Sequence, residues 1–150
     1  MSKAPNTSPS LSVADVSALI DAHFPQIHAG GRSMIIESVG PREASVRLRF
    51  TERSIRPGGT ISGPAMFTLA DFSIYVALIA TLGAAGIPAL TTNLNITFLK
   101  RPGQGDLIAA THIIRLGRRL AYADVALRTD GSEEVVAHAT GSYAIVAAAG

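Results

Sequence analysis

The stretch TISGPAMFTLADFSIYVALIATLG, residues 60–83, is apolar or small at almost every position and carries a single acidic side chain, Asp71. Its left boundary reads as a helix start. Ser62 offers a side-chain oxygen as N-cap, and Gly63 and Pro64 follow at early helical positions, where proline's missing N–H costs nothing. Gly83 marks the expected end. Helical spacing puts Asp71 on the stripe of Phe67, Ile74, Tyr75 and Leu78 rather than on a polar face. It lies about two turns in from the helix start, where the macrodipole helps an anion only weakly. A buried ionised carboxylate costs several kcal/mol unless it is paired. Two readings follow. Asp71 either pairs with a cation such as Arg56 of the preceding loop or caps a partner subunit's backbone, or it is a general base or nucleophile.

Outward from this helix, SLSVADVSALIDAHFP predicts a short amphipathic helix capped by Ser12, with Asp15 in its first turn. Val13, Val16, Leu19 and Ile20 share its apolar face, and Pro25 stops it. SMIIESVG and EASVRLRF read as two strands joined at GPR; in the second, Ala44, Val46, Leu48 and Phe50 alternate with Glu43, Ser45, Arg47 and Arg49. Beyond GAAGIP come LTTNLNITFLK, DLIAATHIIRL, RLAYADVALRT and EEVVAHATGSYAIV, separated by the turn signals RPGQG, GR and DGS. These four are expected to form a meander. In the first of them Leu90, Leu94, Ile96 and Phe98 are expected on one face, with Thr91, Asn93, Asn95 and Thr97 on the other. Helix, two strands, one long apolar helix and four strands describe an α+β fold in which an antiparallel sheet wraps a central helix. A membrane-spanning reading of residues 72–90 is disfavoured by Gly83, Gly86 and Pro88 and leaves the four later strands unexplained.

At 150 residues the chain fits a single domain, residues 11–150, behind a polar tail, residues 1–10, expected to be disordered. With 47% hydrophobic and only 16% charged residues, it carries more apolar surface than a small monomer hides, so a homo-oligomer is expected. The net charge of +2 is spread along the chain, which argues against nucleic-acid binding. There is no cysteine, so no disulfide, thiolate nucleophile or zinc-finger spacing. The tail lacks the order of a secretory signal, and a cytoplasmic location is expected. The four histidines, His23, His28, His112 and His138, show no metal-ligand spacing, so no metal is expected. RPGGTISG lacks the lysine of a phosphate loop, and no serine sits in a GxSxG elbow.

The span SGPAMFTLAD, together with TTNLNITFLKRPGQGDLIAATHIIRLGRRLAYADVAL and VVAHATGSYAIV, resembles the hotdog-fold acyl-CoA thioesterases of the phenylacetate-degradation (PaaI-like) branch. The resemblance covers about residues 30–147. It implies a hotdog fold, an acyl-CoA substrate, no cofactor beyond the coenzyme A that the substrate carries, and a dimer or dimer of dimers, a homotetramer. By position it implies that Asp71 is the catalytic carboxylate, general base or nucleophile, and that the Gly63 N–H of a neighbouring subunit binds the thioester oxygen. Thr91 would help hold water, and Arg101, Arg118, Arg119 and Asn93 would lie where coenzyme A enters. Two positions depart from the family pattern. Ser62 stands where relatives carry histidine, and Arg56 where they often carry asparagine or glutamine. Arg56 can polarise the carbonyl, bind an anionic group of the substrate, or pair with Asp71 across an interface. The departures leave open a non-catalytic acyl-CoA binder or structural oligomer. A hotdog hydratase is weaker, for want of a histidine near Asp71 in the sequence.

Overall fold

The computed structural model describes residues 11–146, so the expected tail lies outside the described residues. Helix α1, Val13–His23, starts as anticipated: the Asp15 N–H donates to Ser12 Oγ, and the Ser12 N–H donates back to the Asp15 carboxylate. This reciprocal capping box satisfies two donors that a helix start otherwise leaves free. Val16 and Ile20 are buried beneath it. A 3-10 turn at Pro25–His28 follows, then strands β1, Met34–Gly40, and β2, Glu43–Leu48. Phe50 falls just past the end of β2 and is half-buried.

Helix α2, Gly63–Leu82, is capped by Ser62, whose Oγ accepts from the Ala65 N–H at 3.2 Å. Gly83 ends it with a φ of 68°, a conformation glycine adopts without the steric cost of a Cβ. A second 3-10 turn, Gly83–Gly86, leads to β3, Leu90–Phe98; β4, Leu107–Leu116, β5, Leu120–Thr129, and β6, Val135–Ala144, complete the chain. All neighbouring strands are antiparallel, in the order β1-β2-β4-β5-β6-β3. This is the hotdog arrangement, a six-stranded antiparallel sheet around one long helix.

The expected four-strand meander is corrected. Only β4, β5 and β6 run on as consecutive neighbours, while β3 pairs with β6 and becomes an outer strand. The inner edge of β4 is taken by β2, whose buried Ala44, Val46 and Leu48 extend the apolar face of the sheet. The linker between β3 and β4 is too long for a tight hairpin, so it carries the chain across the end of the sheet instead.

The face alternation expected for β3 is corrected too. A bulge between Thr91 and Asn93 inserts Thr92 as an extra residue, with Thr91 opposite Tyr143, Asn93 opposite Ser142 and Leu94 opposite Gly141. Thr91 and Leu94 therefore share the helix-facing side, and Leu90 is turned out with 62% of its surface exposed. Gly141 lies under this crossing. A Cβ there would stand 2.8 Å from both Ile74 Cδ1 and Leu94 Cδ1.

The sheet encloses most of α2: Leu69, Ala70, Ile74, Val76, Ala77, Leu78 and Ile79 are all essentially inaccessible. The length and apolarity that suggested a membrane span are those of a core helix. One stripe stays open, through Pro64, Phe67 and Thr68 to the half-buried Asp71.

On the opposite edge, Arg47 of β2 joins three carboxylates. It donates to Glu37 at 3.0 and 3.2 Å, to Asp106 at 3.0 Å and to Asp130 at 2.7 Å. Asp106 also accepts from the Phe50 N–H at 2.7 Å. Arg47 thus ties β1 and β2 to the β3–β4 linker and the β5–β6 turn.

Two stability outcomes are expected. The Arg47 hydrogen bond holds the Asp130 carboxyl below its ordinary value of 3.8, so its contribution is in place above that value and is lost as the pH falls through the depressed one. Arg47→Gln should therefore lower the urea midpoint at neutral pH, and the gap to wild type should narrow only as the pH falls below 3.8. Gly141→Val should destabilise the fold by about 1–3 kcal/mol through overpacking, measured by urea unfolding.

Candidate active site

Asp71 sits where α2, β3 and β6 meet. Its Oδ1 accepts from Thr91 Oγ1 at 2.9 Å and from the Tyr143 hydroxyl at 2.6 Å, and that hydroxyl also lies 2.9 Å from the Asp71 carbonyl oxygen. Burial, and then the charge of Asp71, push the Tyr143 phenol far above its ordinary value, so the phenol keeps its proton and donates. Oδ2 has no hydrogen-bond partner among the described residues. One carboxylate oxygen is held in place and the other carries no hydrogen bond among the described residues.

The carboxylate lines a cavity of ≈ 490 Å³ walled by Phe24, Phe67, Phe72, Tyr75, Ile87, Leu90, Thr91 and Tyr143, among others. The Tyr75 hydroxyl donates to the Ile87 carbonyl at 2.7 Å, and its ring stacks on Tyr143 with centroids 6.4 Å apart. A mostly apolar recess with the Asp71 carboxylate and the His23 imidazole at its wall suits an acyl or aryl group whose carbonyl is brought to the carboxylate.

Gly63 lies about two turns of α2 away, in a second cavity of ≈ 520 Å³. Its N–H has no acceptor among the described residues, and it opens the helix with the partial positive charge of an N-terminus. A Cβ at this position would come within 3.3 Å of Phe98 Cζ. Arg56, Lys100 and Arg101 line the same cavity. Lys100 is paired with Glu134 at 2.6 Å, whereas Arg56 and Arg101 have no ion-pair partner among the described residues. The cavity is cationic, with a free backbone donor at its edge.

The residues singled out in the sequence therefore fall into two groups within one chain. Asp71 and Thr91 meet directly; Gly63, Arg56 and Arg101 meet elsewhere. Arg56 does not line the Asp71 cavity, so the chain supplies no internal Arg56–Asp71 pair. Arg118 and Arg119, in the β4–β5 turn, lie near the Asp71 end of the sheet: the Arg119 carbonyl accepts from Ile145 at 3.0 Å, beside the Leu90–Ala144 pair. Asn93 lines neither cavity and accepts from Asn95 at 3.0 Å. No group of three His, Asp or Glu side chains is placed to hold a metal among the described residues.

Sequence reasoning missed Tyr143. A signal was present: the inward row of β6 is Ala137, Ala139, Gly141, Tyr143, three small residues and then a large one whose hydroxyl needs a partner once buried.

An antiparallel sheet closed on a core helix, with a carboxylate at an apolar recess and a free helix N-terminus, defines a hotdog-fold hydrolase framework. Residues 58–136 match the thioesterase superfamily. The chain belongs to that superfamily and is a thioester hydrolase. A solved protein from Silicibacter sp. TM1040 is 37% identical, with 93% of this chain and 95% of that one covered and a TM-score of 0.81. Acyl-coenzyme A thioesterase 13 of Mus musculus is 29% identical over 67% of this chain and 71% of its own. The PaaI protein of E. coli shares the fold, with a TM-score of 0.73 at 19% identity over 89% of this chain and 95% of that one. The thioesterase-superfamily membership implied by the sequence resemblance thus holds, and the likeness to PaaI extends to the fold.

Tyr143→Phe should leave the fold intact and reduce thioester turnover by roughly 10–100-fold, the cost of one charge-assisted hydrogen bond to the reacting group. Steady-state kinetics beside a melting curve would check it; full activity in the variant would remove Tyr143 from the site.

Proposed function

We propose that this protein hydrolyses acyl-CoA thioesters at a site built from two copies of the chain. The observation that carries the proposal is the separation just described: a poised carboxylate in an apolar recess, and a free N–H in a cationic cavity, placed towards opposite ends of β3. The edge strand is the means of bringing them together. Its nine residues include no proline and no charged side chain, and 62% of Leu90 and 51% of Phe98 are exposed. Such an unguarded edge is a template for a second strand. Antiparallel pairing of β3 with its copy, centred near Leu94, sets Phe98 of the partner subunit beside Leu90. Gly63, packed against Phe98, then approaches Asp71 of the other subunit. The same pairing carries Arg56 and Arg101 of one copy towards Arg118 and Arg119 of the other, which gathers cations for the phosphates of coenzyme A. Two such dimers would complete the expected homotetramer.

In this mechanism the acyl group fills the aromatic recess, and the thioester oxygen accepts from the Gly63 N–H. Asp71 removes a proton from water, the oxygen of that water adds to the carbonyl carbon, and the tetrahedral intermediate collapses with loss of the thiolate. The proton passes from Asp71 to the leaving sulfur. If the carboxylate attacks directly instead, an anhydride forms and water then cleaves it. Single turnover in ¹⁸O-water separates the routes, because only the anhydride route can transfer label into Asp71 itself. Thr91 and Tyr143 hold the carboxylate in both.

A non-catalytic acyl-CoA binder is the second reading. It is favoured by Ser62, whose hydroxyl is engaged as a helix cap where relatives carry histidine.

Thiol release should be measured across short, medium, long and aryl acyl-CoAs. Asp71→Asn should fall by ~100-fold or more in kcat while still folding and binding. Gly63→Pro removes the N–H at a position where helices tolerate proline and should lose ~100–1000-fold. Mixing the two inactive variants should restore turnover, since a mixed dimer has one intact site. A monomeric protein, or no rescue on mixing, would sink the composite site; tight acyl-CoA binding without turnover in the wild type would favour the binder.

A further inference from the structure

Phe72, the next residue of α2, lines the Asp71 recess. The same ring is a wall of a second, more enclosed cavity of ≈ 230 Å³ between α1, the Pro25–His28 turn and β1. Its other walls include Val13, Ile20, Met34 and Ile36. The ring is almost wholly buried, with 4% exposed, and the His28 imidazole meets it edge-on at 6.4 Å. Removing it would join the two spaces.

The second chamber is suited to an apolar occupant. Two charged or titratable side chains reach it, Arg32 and His28; Arg32 is engaged, and His28 is engaged at Nε2 while its Nδ1 is buried without a hydrogen-bond partner among the described residues. Arg32 donates to Asp21 at 3.1 Å and to His28 Nε2 at 3.1 Å. Burial, then the neighbouring Arg32 charge, hold the His28 imidazole below its ordinary value against the opposing pull of Asp21. The ring is therefore neutral at neutral pH, and the guanidinium is neutralised by Asp21. Neither presents an unpaired charge to a hydrocarbon tail.

We propose that Phe72 is the partition that sets the longest acyl chain this site accepts, and that the chamber beneath α1 seats the distal methylenes of longer chains once the ring is gone. The wild-type recess ends at the ring, so chains that outgrow it meet an aromatic wall. The proposal rests on the thioesterase reading for the identity of its ligand, and its test does not depend on turnover.

Hydrolysis-resistant thioether analogues of acyl-CoA, of short, medium and long chain, serve as probes, with affinity read by calorimetry. Wild type should gain nothing from medium to long chain. Phe72→Ala should raise the long-over-medium affinity ratio by ~10-fold or more, the scale of a few methylenes moving from water to an apolar wall. Phe72→Leu should move it the same way by less, and stands in if the alanine variant fails to fold. Ser17→Phe, placed in the second chamber, should leave wild-type affinities unchanged and abolish the gain in the Phe72→Ala background. An unchanged length profile in a folded Phe72 variant, a gain that survives Ser17→Phe, or no binding of any analogue overturns the partition. Analogues that bind with this pattern while no acyl-CoA is cleaved overturn the hydrolase reading and leave the partition standing.

Discussion

A helix that is apolar on nearly every side has to be enclosed, and the rest of this molecule is arranged around enclosing α2. A flat sheet covers one face of a helix; a curled one covers most of its circumference, and that curl is what the antiparallel strands supply. Ten buried positions from Leu69 to Ile79 are the result. Enclosure by a single sheet cannot be complete. The gap falls along Pro64, Phe67, Thr68 and Asp71, so the carboxylate that looked out of place in the sequence lies on the one stripe where it can meet solvent and substrate.

Asp71 is neither a core ion nor a surface ion. Tyr143 and Thr91 hold one oxygen, and the aromatic rings of the recess wall the space beside it. The cationic cavity at Gly63 has the opposite character, open and polar, with guanidinium groups that have no ion-pair partner among the described residues. An acyl-CoA has this same division, a hydrocarbon or aryl end and a polyanionic end joined at the reacting atom. On the proposed reading the protein keeps the two environments apart within each chain, and dimerisation brings them to one thioester.

How far the sequence could be read depended on how local each feature is. The capping box of Ser12 and Asp15, the Ser62 cap, the Gly83 terminus and the alternation of β2 are set by neighbours a few residues away, and all were legible. The position of β3 beside β6 was not, because it is decided by β2 occupying the edge of β4. Strict alternation puts Thr91 on the face opposite Leu94, and the extra residue at Thr92 overturns that expectation. Tyr143 and Arg47 act across 72 and up to 83 residues of chain respectively. Asp71 could be picked out by type and spacing alone, yet its partners could not.

On the proposed pairing of β3 with its copy, the bulge at Thr92 bears on strand register as well as on Thr91. A straight, uncharged edge strand could pair with its copy in several alignments two residues apart, all presenting the same faces. A kinked end, pinned by the Thr92 hydroxyl to the Ser142 carbonyl at 3.2 Å, breaks that translational sameness. Sliding the strands would drive a twisted segment against a regular one and forfeit ladder hydrogen bonds at both ends of the symmetric pair. In the proposed dimer the irregularity would therefore work as an indexing notch, selecting one alignment out of a degenerate set and with it one spacing between the parts contributed by each copy.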